Sequence, residues 1–406
     1  MKIVYIHQYF KTYSDGGSSR SYYLAKSLVD NGFDVELITS HNSKDYLFTT
    51  IEGIKVHYLP VSYDNHMGFF DRIWSFLSFM FQAYKLTRKI KNIDSCYVSS
   101  TPLTVGITAL LLKWQRNIPY HFEVRDLWPL APIQLGIIKN RWLQKFLSRL
   151  EQRIYEEATS IIALSPGIAS HIQQCVPYKT IHLLPNISDC DFFQKEAKKT
   201  YLTDKYDTTH KFVVTYFGAI GQVNNLQSLI EVAKTAQEAN NQALRFLIVG
   251  RGNQLAEVQK LAKQYQLTNI LFIPHVSKYQ LREIINITDA VYVSFASYPV
   301  LETSSPNKFF DTLASGKLCI TNTSGWIAQL IEEYGCGFYA NPTKPEELLT
   351  KVSYYMADPE ALEQAQYNAR RLAETQFSRE HLTQKFIQIL DPSLRTHTRE
   401  QHVVTV

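Results

Sequence analysis

What this chain of 406 residues lacks narrows its function before any motif is found. Its five cysteines (Cys96, Cys175, Cys190, Cys319, Cys336) are odd in number, scattered and never spaced as CxxC. That pattern speaks for reduced thiols in a cytosolic protein and against a disulfide framework. The 12 histidines form no HExxH or comparable cluster, so no metal and no cofactor is expected. No apolar run approaches the ~20 residues that cross a bilayer. The opening run Lys2–Ile6 is followed at once by polar His7-Gln8 and does not read as a signal peptide. Charged residues make up only 19% of the chain and the net charge is +5. Such a charge permits an anionic substrate or membrane surface but is too small and dispersed to indicate nucleic acid. Repeats, low-complexity tracts and an intact GxGxxG fingerprint are absent as well.

What the chain has is apolar material, at 45% of residues, and aromatics, at 13%. Its length suggests two domains of about 150–200 residues. Short β-branched runs alternate with amphipathic helical stretches, the mark of parallel α/β layers. In the first half the strand runs are Ile3–Ile6, Val35–Thr39, Lys55–Leu59, Cys96–Ser99, His121–Val124, Ile161–Leu164 and Ile181–Leu184. A polar stretch, Lys195–Lys211, interrupts the pattern, which restarts with runs at Phe212–Phe217, Arg245–Val249, Ile270–Ile273, Val291–Phe295 and Leu318–Thr321. The expected fold is α/β, with two Rossmann-like domains facing a central cleft and ligands at the carboxyl ends of the strands. The boundaries read as 1–190, a linker at 191–211, a second domain at 212–376, and a C-terminal helix and tail at 377–406. That final helix, about Arg379–Leu390, is placed to return to the first domain.

The densest chemical signal is Ser305-Pro306-Asn307-Lys308-Phe309-Phe310-Asp311. Ser305 is a good N-cap and Pro306 suits a first helical position. Free amides behind them, with the Lys308 ammonium, offer a phosphate site. Asp311 lies a little over one turn on, where a carboxylate accepts the two hydroxyls of a ribose. Together they describe a nucleotide diphosphate, although an amphipathic helix with a surface Lys and Asp has the same pattern. Gly-rich strand ends recur at Gly16-Gly17, Gly218 to Gly221 and Gly250-Arg251-Gly252, where backbone can approach a ligand. Arg251 is placed to reach a pyrophosphate. Asn224 or Asn225 is expected to cap the helix after Gly221. Glu123-Val124-Arg125-Asp126-Leu127-Trp128-Pro129 closes a first-domain strand with an Arg between two carboxylates, able to bind sugar hydroxyls or handle a proton. A structural Arg–carboxylate pair is the competing reading. Asp189-Cys190-Asp191 reads as a turn, not a metal site. Phe69–Lys91 pairs an aromatic-rich helix with Lys85, Arg88, Lys89 and Lys91 at its end. It fits a lipid interface or a helix packed on the sheet.

These motifs, with Leu164-Ser165-Pro166-Gly167 and Pro185-Asn186, resemble the family 4 glycosyltransferases of the GT-B fold over nearly the whole chain. The likeness is narrowest to a bacterial surface-polysaccharide branch that includes fucosamine transferases. The resemblance implies a retaining transferase that takes a nucleotide sugar, often UDP-linked, without a metal. It implies a sugar such as an N-acetylated deoxyhexosamine, a polyprenyl-diphosphate-linked saccharide as acceptor, and a role in O-antigen (lipopolysaccharide) or capsule synthesis. The protein would then be cytoplasmic and peripheral on the inner face of the cytoplasmic membrane. Donor binding would fall to Gly16, Gly17, Gly218, Gly221, Arg251, Ser305, Asn307, Lys308 and Asp311, and catalysis to Asp126, Glu123 and Arg125. Asp311 matches the second acid of the family's Glu-x7-Glu pattern, whereas the first falls at Thr303, beside Glu302. The family's Arg and Lys after the first strand of the second domain are replaced by Gln222, Asn224 and Asn225. Arg125 stands where many relatives have His. Two other readings are a nucleotide-sugar 2-epimerase and a non-catalytic, membrane-docked partner of a polysaccharide assembly complex.

Overall fold

A computed structural model describes residues 1–12, 19–64 and 67–394. The β-branched runs form two sheets. The first contains β1 (Lys2–Ile6), β2 (Asp34–His41), β3 (Leu47–Ile51), β4 (Ile54–Pro60), β5 (Ser95–Ser99), β6 (Tyr120–Val124), β7 (Ser160–Ala163) and β8 (Ile181–Leu183). Its order is β3-β4-β2-β1-β5-β6-β7-β8, parallel throughout except for β3. The second contains β9 (Phe212–Ala219), β10 (Leu244–Arg251), β11 (Ile270–Ile273), β12 (Ala290–Val293), β13 (Leu318–Thr321) and β14 (Gly337–Tyr339). It is all parallel, in the order β11-β10-β9-β12-β13-β14. The central strands are buried on both faces, so they read as continuous apolar runs without alternation. The two-domain α/β expectation is met.

Helices of the first half are α1 (Arg20–Asp30), α2 (Phe69–Thr87), α3 (Thr104–Arg116), α4 (Leu130–Gln134), α5 (Arg141–Glu157) and α6 (Pro166–Cys175). A short α7 (Thr200–Lys205) precedes the second sheet, where α8 (Gln227–Glu238), α9 (Leu255–Gln264), α10 (Lys278–Asn286), α11 (Asn307–Ala314) and α12 (Trp326–Glu333) join the strands. The chain closes with α13 (Pro345–Ala357), α14 (Pro359–Gln376) and α15 (Arg379–Leu390). The last helix packs on α1, and Phe386 meets Tyr97 of β5 edge to face at 4.8 Å. Residues 379–390 therefore belong to the first domain's core, as the sequence suggested.

Three local readings are corrected. The edge strand β3 was not anticipated, because its residues are half exposed; the signal is Glu52-Gly53, both at positive φ, a two-residue turn that pairs Ile51 with Ile54. The polar stretch 195–211 is not featureless: it carries α7 and is tied to the second domain by Lys198–Asp289 and Lys199–Glu283 pairs, both at 2.6 Å. Neither Asn224 nor Asn225 caps α8. Asn224 ends a 3-10 turn and accepts from the Gly221 amide at 3.2 Å, Asn225 takes a left-handed φ of 44°, and Leu226 precedes the helix.

Candidate active site

The carboxyl ends of β9, β10 and β11 and the start of α11 enclose a pocket of about 700 Å³. Its wall includes Gly218, Gly250, Arg251, the His275–Tyr279 segment, Asn307, Lys308 and Asp311, with Lys11 of the first domain opposite. Four cations (Lys11, Arg251, Lys278, Lys308) face a single acid, Asp311. That imbalance favours a polyanion. Gly250 is required here: its φ is +153°, and a Cβ on it would lie 2.0 Å from the Gly218 carbonyl oxygen. The two glycines are paired in register, so β9 and β10 end close together and their backbone edges the pocket.

Lys308 donates to the Tyr216 hydroxyl at 2.8 Å and stands 4.0 Å from that ring's centroid. Among the described residues no carboxylate pairs with it, and desolvation brings its pKa down to about 7. Asp311 is in the converse state. Desolvation raises its carboxyl to about 7 against the opposing pull of Lys278, with Asp189 pushing the same way as burial. Lys278 reaches this acidic side through an ion pair with Asp189 at 3.4 Å and packs over the Phe192 ring. Sequence reading missed Lys278 and Lys11. Lys278 is the first helical residue, inside the capping box of Ser277 and Gln280 just past the carboxyl end of β11, so the strand-end rule alone would have found it.

The start of α11 differs from expectation. The helix begins at Asn307, Pro306 occupies the cap position, and the Ser305 hydroxyl is buried with no partner among the described residues. Ser305 is held through its carbonyl instead, which accepts from the Asn186 amide at 2.6 Å. Ser188 donates to the Phe310 carbonyl at 3.0 Å. The segment leading out of the first domain thus grips the helix that carries Lys308 and Asp311. At its other end Gly316 takes φ +58°, a left-handed stop. Gly221 does not line the main pocket but a separate polar recess beside Gln222 and Asn225. Gly16 and Gly17 lie outside the described residues.

The first-domain triplet does not act as a set. Glu123 is fully buried inside β6, where its carboxylate accepts from Arg20 at 2.9 Å, from Tyr97 at 2.9 Å and from Ser99. Arg20 also donates to the carbonyls of Leu184, at 2.9 Å, and Pro185. Glu123 is therefore one half of a buried ion pair, its carboxylate engaged by Arg20, Tyr97 and Ser99. Against the cost of burial, Arg20 and Arg125 hold its carboxyl down to about 2. Arg125 lies past the strand end, half-buried, and donates to His7 at 3.1 Å; burial and the guanidinium hold His7 neutral, with a pKa of about 3. Asp126 is exposed at the same strand end, and the protein around it raises its carboxyl pKa. Thr303 leans on Gly167 of α6, and its carbonyl accepts from Ser165 at 2.5 Å, while Glu302 accepts from Ser324. Asp189 accepts from Tyr23 at 2.6 Å and pairs with Lys278 of the second domain, and Asp191 pairs with Arg379, so this turn joins the domains. Among the described residues no cluster of three metal-ligating side chains occurs.

Residues 15–186 match the family model of the glycosyl transferase 4-like domain, and residues 202–372 that of the glycosyl transferases group 1. WcaI of Escherichia coli (strain K12), named as a colanic acid biosynthesis glycosyl transferase, is 26% identical over 224 residues. That match covers 53% of each protein, so the chain spans about half the length of the curated relative it matches. Among solved structures, sucrose-phosphate synthase from Thermosynechococcus elongatus superposes with a TM-score of 0.74 at 16% identity, over 97% of this chain and 98% of that one. Anabaena Alr3699/HepE, solved with UDP and glucose, gives 0.72 at 15% identity, over 97% and 100%. WaaG, a glycosyltransferase involved in lipopolysaccharide biosynthesis, gives 0.66 at 14%, over 96% and 99%.

Proposed function

Because the chain belongs to the family 4 glycosyltransferases of the GT-B fold, we propose that it moves a sugar from a nucleotide diphosphate donor to an acceptor held across the cleft. The observation that carries this reading is the pocket at α11, with four cations, one carboxylate and converging strand ends. Lys308 and Arg251 would meet the diphosphate and Asp311 the ribose hydroxyls. UDP is the favoured nucleotide, since HepE, of the same fold, was solved with UDP.

In the reaction the bond between the anomeric carbon and the diphosphate oxygen breaks, and one from that carbon to an acceptor oxygen forms. Negative charge grows on the leaving diphosphate, where fixed cations and oriented amides stabilise it more than they stabilise the donor. We favour a retaining, same-face displacement in which the departing phosphate oxygen takes the acceptor's hydroxyl proton, because Glu123, one of the two carboxylates of the first-domain motif, is buried and locked by Arg20. Arg125 and Asp126 would orient the acceptor or the sugar. The acceptor class we assign is a lipid-linked saccharide, the product a surface polysaccharide of O-antigen or capsule type, and the sugar an N-acetylated deoxyhexosamine. No metal or cofactor takes part, and the protein works on the inner face of the cytoplasmic membrane.

A thermal-shift screen of nucleotide sugars, followed by transfer of the binding sugar to a polyprenyl-diphosphate-linked saccharide, tests this. Donor-dependent product is expected. Donor turnover without acceptor would replace the reading with a 2-epimerase, and no nucleotide binding would overturn it.

A further inference from the structure

A strand at the edge of a sheet keeps one row of backbone donors and acceptors unpaired. The two sheets leave four such edges, at β3, β8, β11 and β14. Three are short: β8 and β14 have three residues each and β11 has four. β3 has five, and nothing guards it. From Tyr46 to Ile51 there is no Pro, no Lys and no charge, the devices that keep an edge strand solitary. Tyr46, Leu47 and Phe48 are each 49% exposed. Two of the three are nevertheless fixed in place. The Tyr46 hydroxyl meets His57 Nδ1 at 2.7 Å, and the Phe48 ring packs against the His57 ring at 4.8 Å.

The hairpin decides which backbone groups face out. Glu52 and Gly53 form a two-residue turn at φ 47° and 87°, so the closing pair Ile51–Ile54 is a hydrogen-bonded one. Hydrogen-bonded and open pairs alternate along an antiparallel ladder. Residues 47, 49 and 51 therefore turn their amides and carbonyls toward β4. Those of Phe48 and Thr50, with Tyr46 ahead of them, point away from the sheet. Among the described residues none of these outward groups makes a backbone bond.

The segment is complementary to itself. Laid antiparallel on a second β3 about an axis at Phe48, Phe48 meets its own copy and Tyr46 meets Thr50. Bonds are then exchanged at the outward positions, and Leu47 lies beside Thr49 on the other face. Further out, Lys44 falls opposite Glu52. Both are exposed, and neither makes an ion pair among the described residues. A strand from an unrelated protein has no reason to match both the register and the charges; a second copy matches both.

We infer that β3 pairs with β3 of a second copy of this chain, joining two eight-stranded sheets into one across a twofold axis. The contact closes on itself, because the pairing uses up both β3 edges. The antiparallel arrangement sets the strand carboxyl ends of the two copies in opposite directions. Each pocket at α11 remains built from one chain, so nucleotide binding and pairing are independent.

The experiment is sedimentation velocity on the full chain over a micromolar dilution series, with circular dichroism melting to show each variant folded. A reversible dimer is expected. Lys44→Glu and Glu52→Lys should each raise its dissociation constant by about tenfold or more, since each sets like charges face to face at both ends. The double variant should recover wild-type pairing. An equimolar mixture of the two single variants should form a heterodimer tighter than either homodimer. Thr50→Pro removes one outward amide while leaving the bonds to β4, and should weaken the dimer as well. Should that variant fail to fold, the charge exchange decides alone. A monomer at every concentration refutes the pairing. So does a dimer indifferent to both charge reversals, or an open-ended polymer, in which β3 would meet a different edge.

Discussion

Lys308 and Tyr216 face each other with the ammonium 2.8 Å from the hydroxyl and 4.0 Å from the ring centroid. Tyr216 gives the cation a polar and an aromatic neighbour but no compensating negative charge. With Asp311 one turn along the same helix, the site holds an acid whose pKa burial raises to about 7 and a base whose pKa burial lowers to about 7.

Binding of a UDP-sugar, whose diphosphate does not titrate in this range, is expected to be bell-shaped in pH. Asp311 must be ionised to accept ribose hydroxyls, so affinity falls as pH drops below about 7. Lys308 must be protonated to meet the diphosphate, so affinity falls as pH rises above about 7. At pH 8 binding should take up protons, read by calorimetry in buffers of different ionisation enthalpy. Lys308→Met should abolish the alkaline limb and the uptake; a flat profile in the wild-type protein would remove the assignment of both residues.

Asp311→Ala should raise the UDP dissociation constant by about tenfold or more, since a hydrogen bond to a charged group is worth ~1.5–3 kcal/mol. Titration calorimetry on the folded variant measures it. Unchanged affinity would move the ribose elsewhere.

Glu123→Gln and Arg20→Met should each destabilise the protein by ~3–5 kcal/mol, because either leaves a buried charge without its partner. Urea unfolding supplies the number. The pH dependence has a definite sign. Glu123 titrates at about 2 in the folded chain against 4.5 for the ordinary group. Its contribution is present above pH 4.5 and is lost as pH falls toward 2. A Glu123→Gln protein of native stability but no transferase activity would instead restore it as a catalytic residue.

Transfer should continue in EDTA. Asp189 is engaged by Tyr23 and Lys278, and Asp191 by Arg379, while Arg251, Lys278 and Lys308 supply positive charge at the pocket. Loss of activity on chelation, with recovery on adding magnesium or manganese, would show that the cations do not suffice.

The parallel strands were legible because a strand buried on both faces leaves an uninterrupted β-branched run. The pocket helix α11 was legible because Pro306, Lys308 and Asp311, which line the pocket, sit within six residues of one another. Glu123 was misjudged for a related reason. Position at a strand's carboxyl end says which end of the sheet a residue is near, but β6 is buried on both faces. No alternation in the sequence marks Glu123 as turned toward Arg20, 103 residues away. Lys11 and Lys278 escaped because the pocket is assembled from elements far apart in sequence. Ser305 was misplaced by one residue because its partner, Asn186, comes from the other domain.

The return of α15 to the first domain orders events during synthesis. Residues 379–390 are translated after both sheets, yet Phe386 closes against Tyr97 and the helix covers α1. A ribosome that has released both sheets still holds an N-terminal half with part of its apolar surface bare. That half is completed only when α15 arrives, after the second sheet has been made.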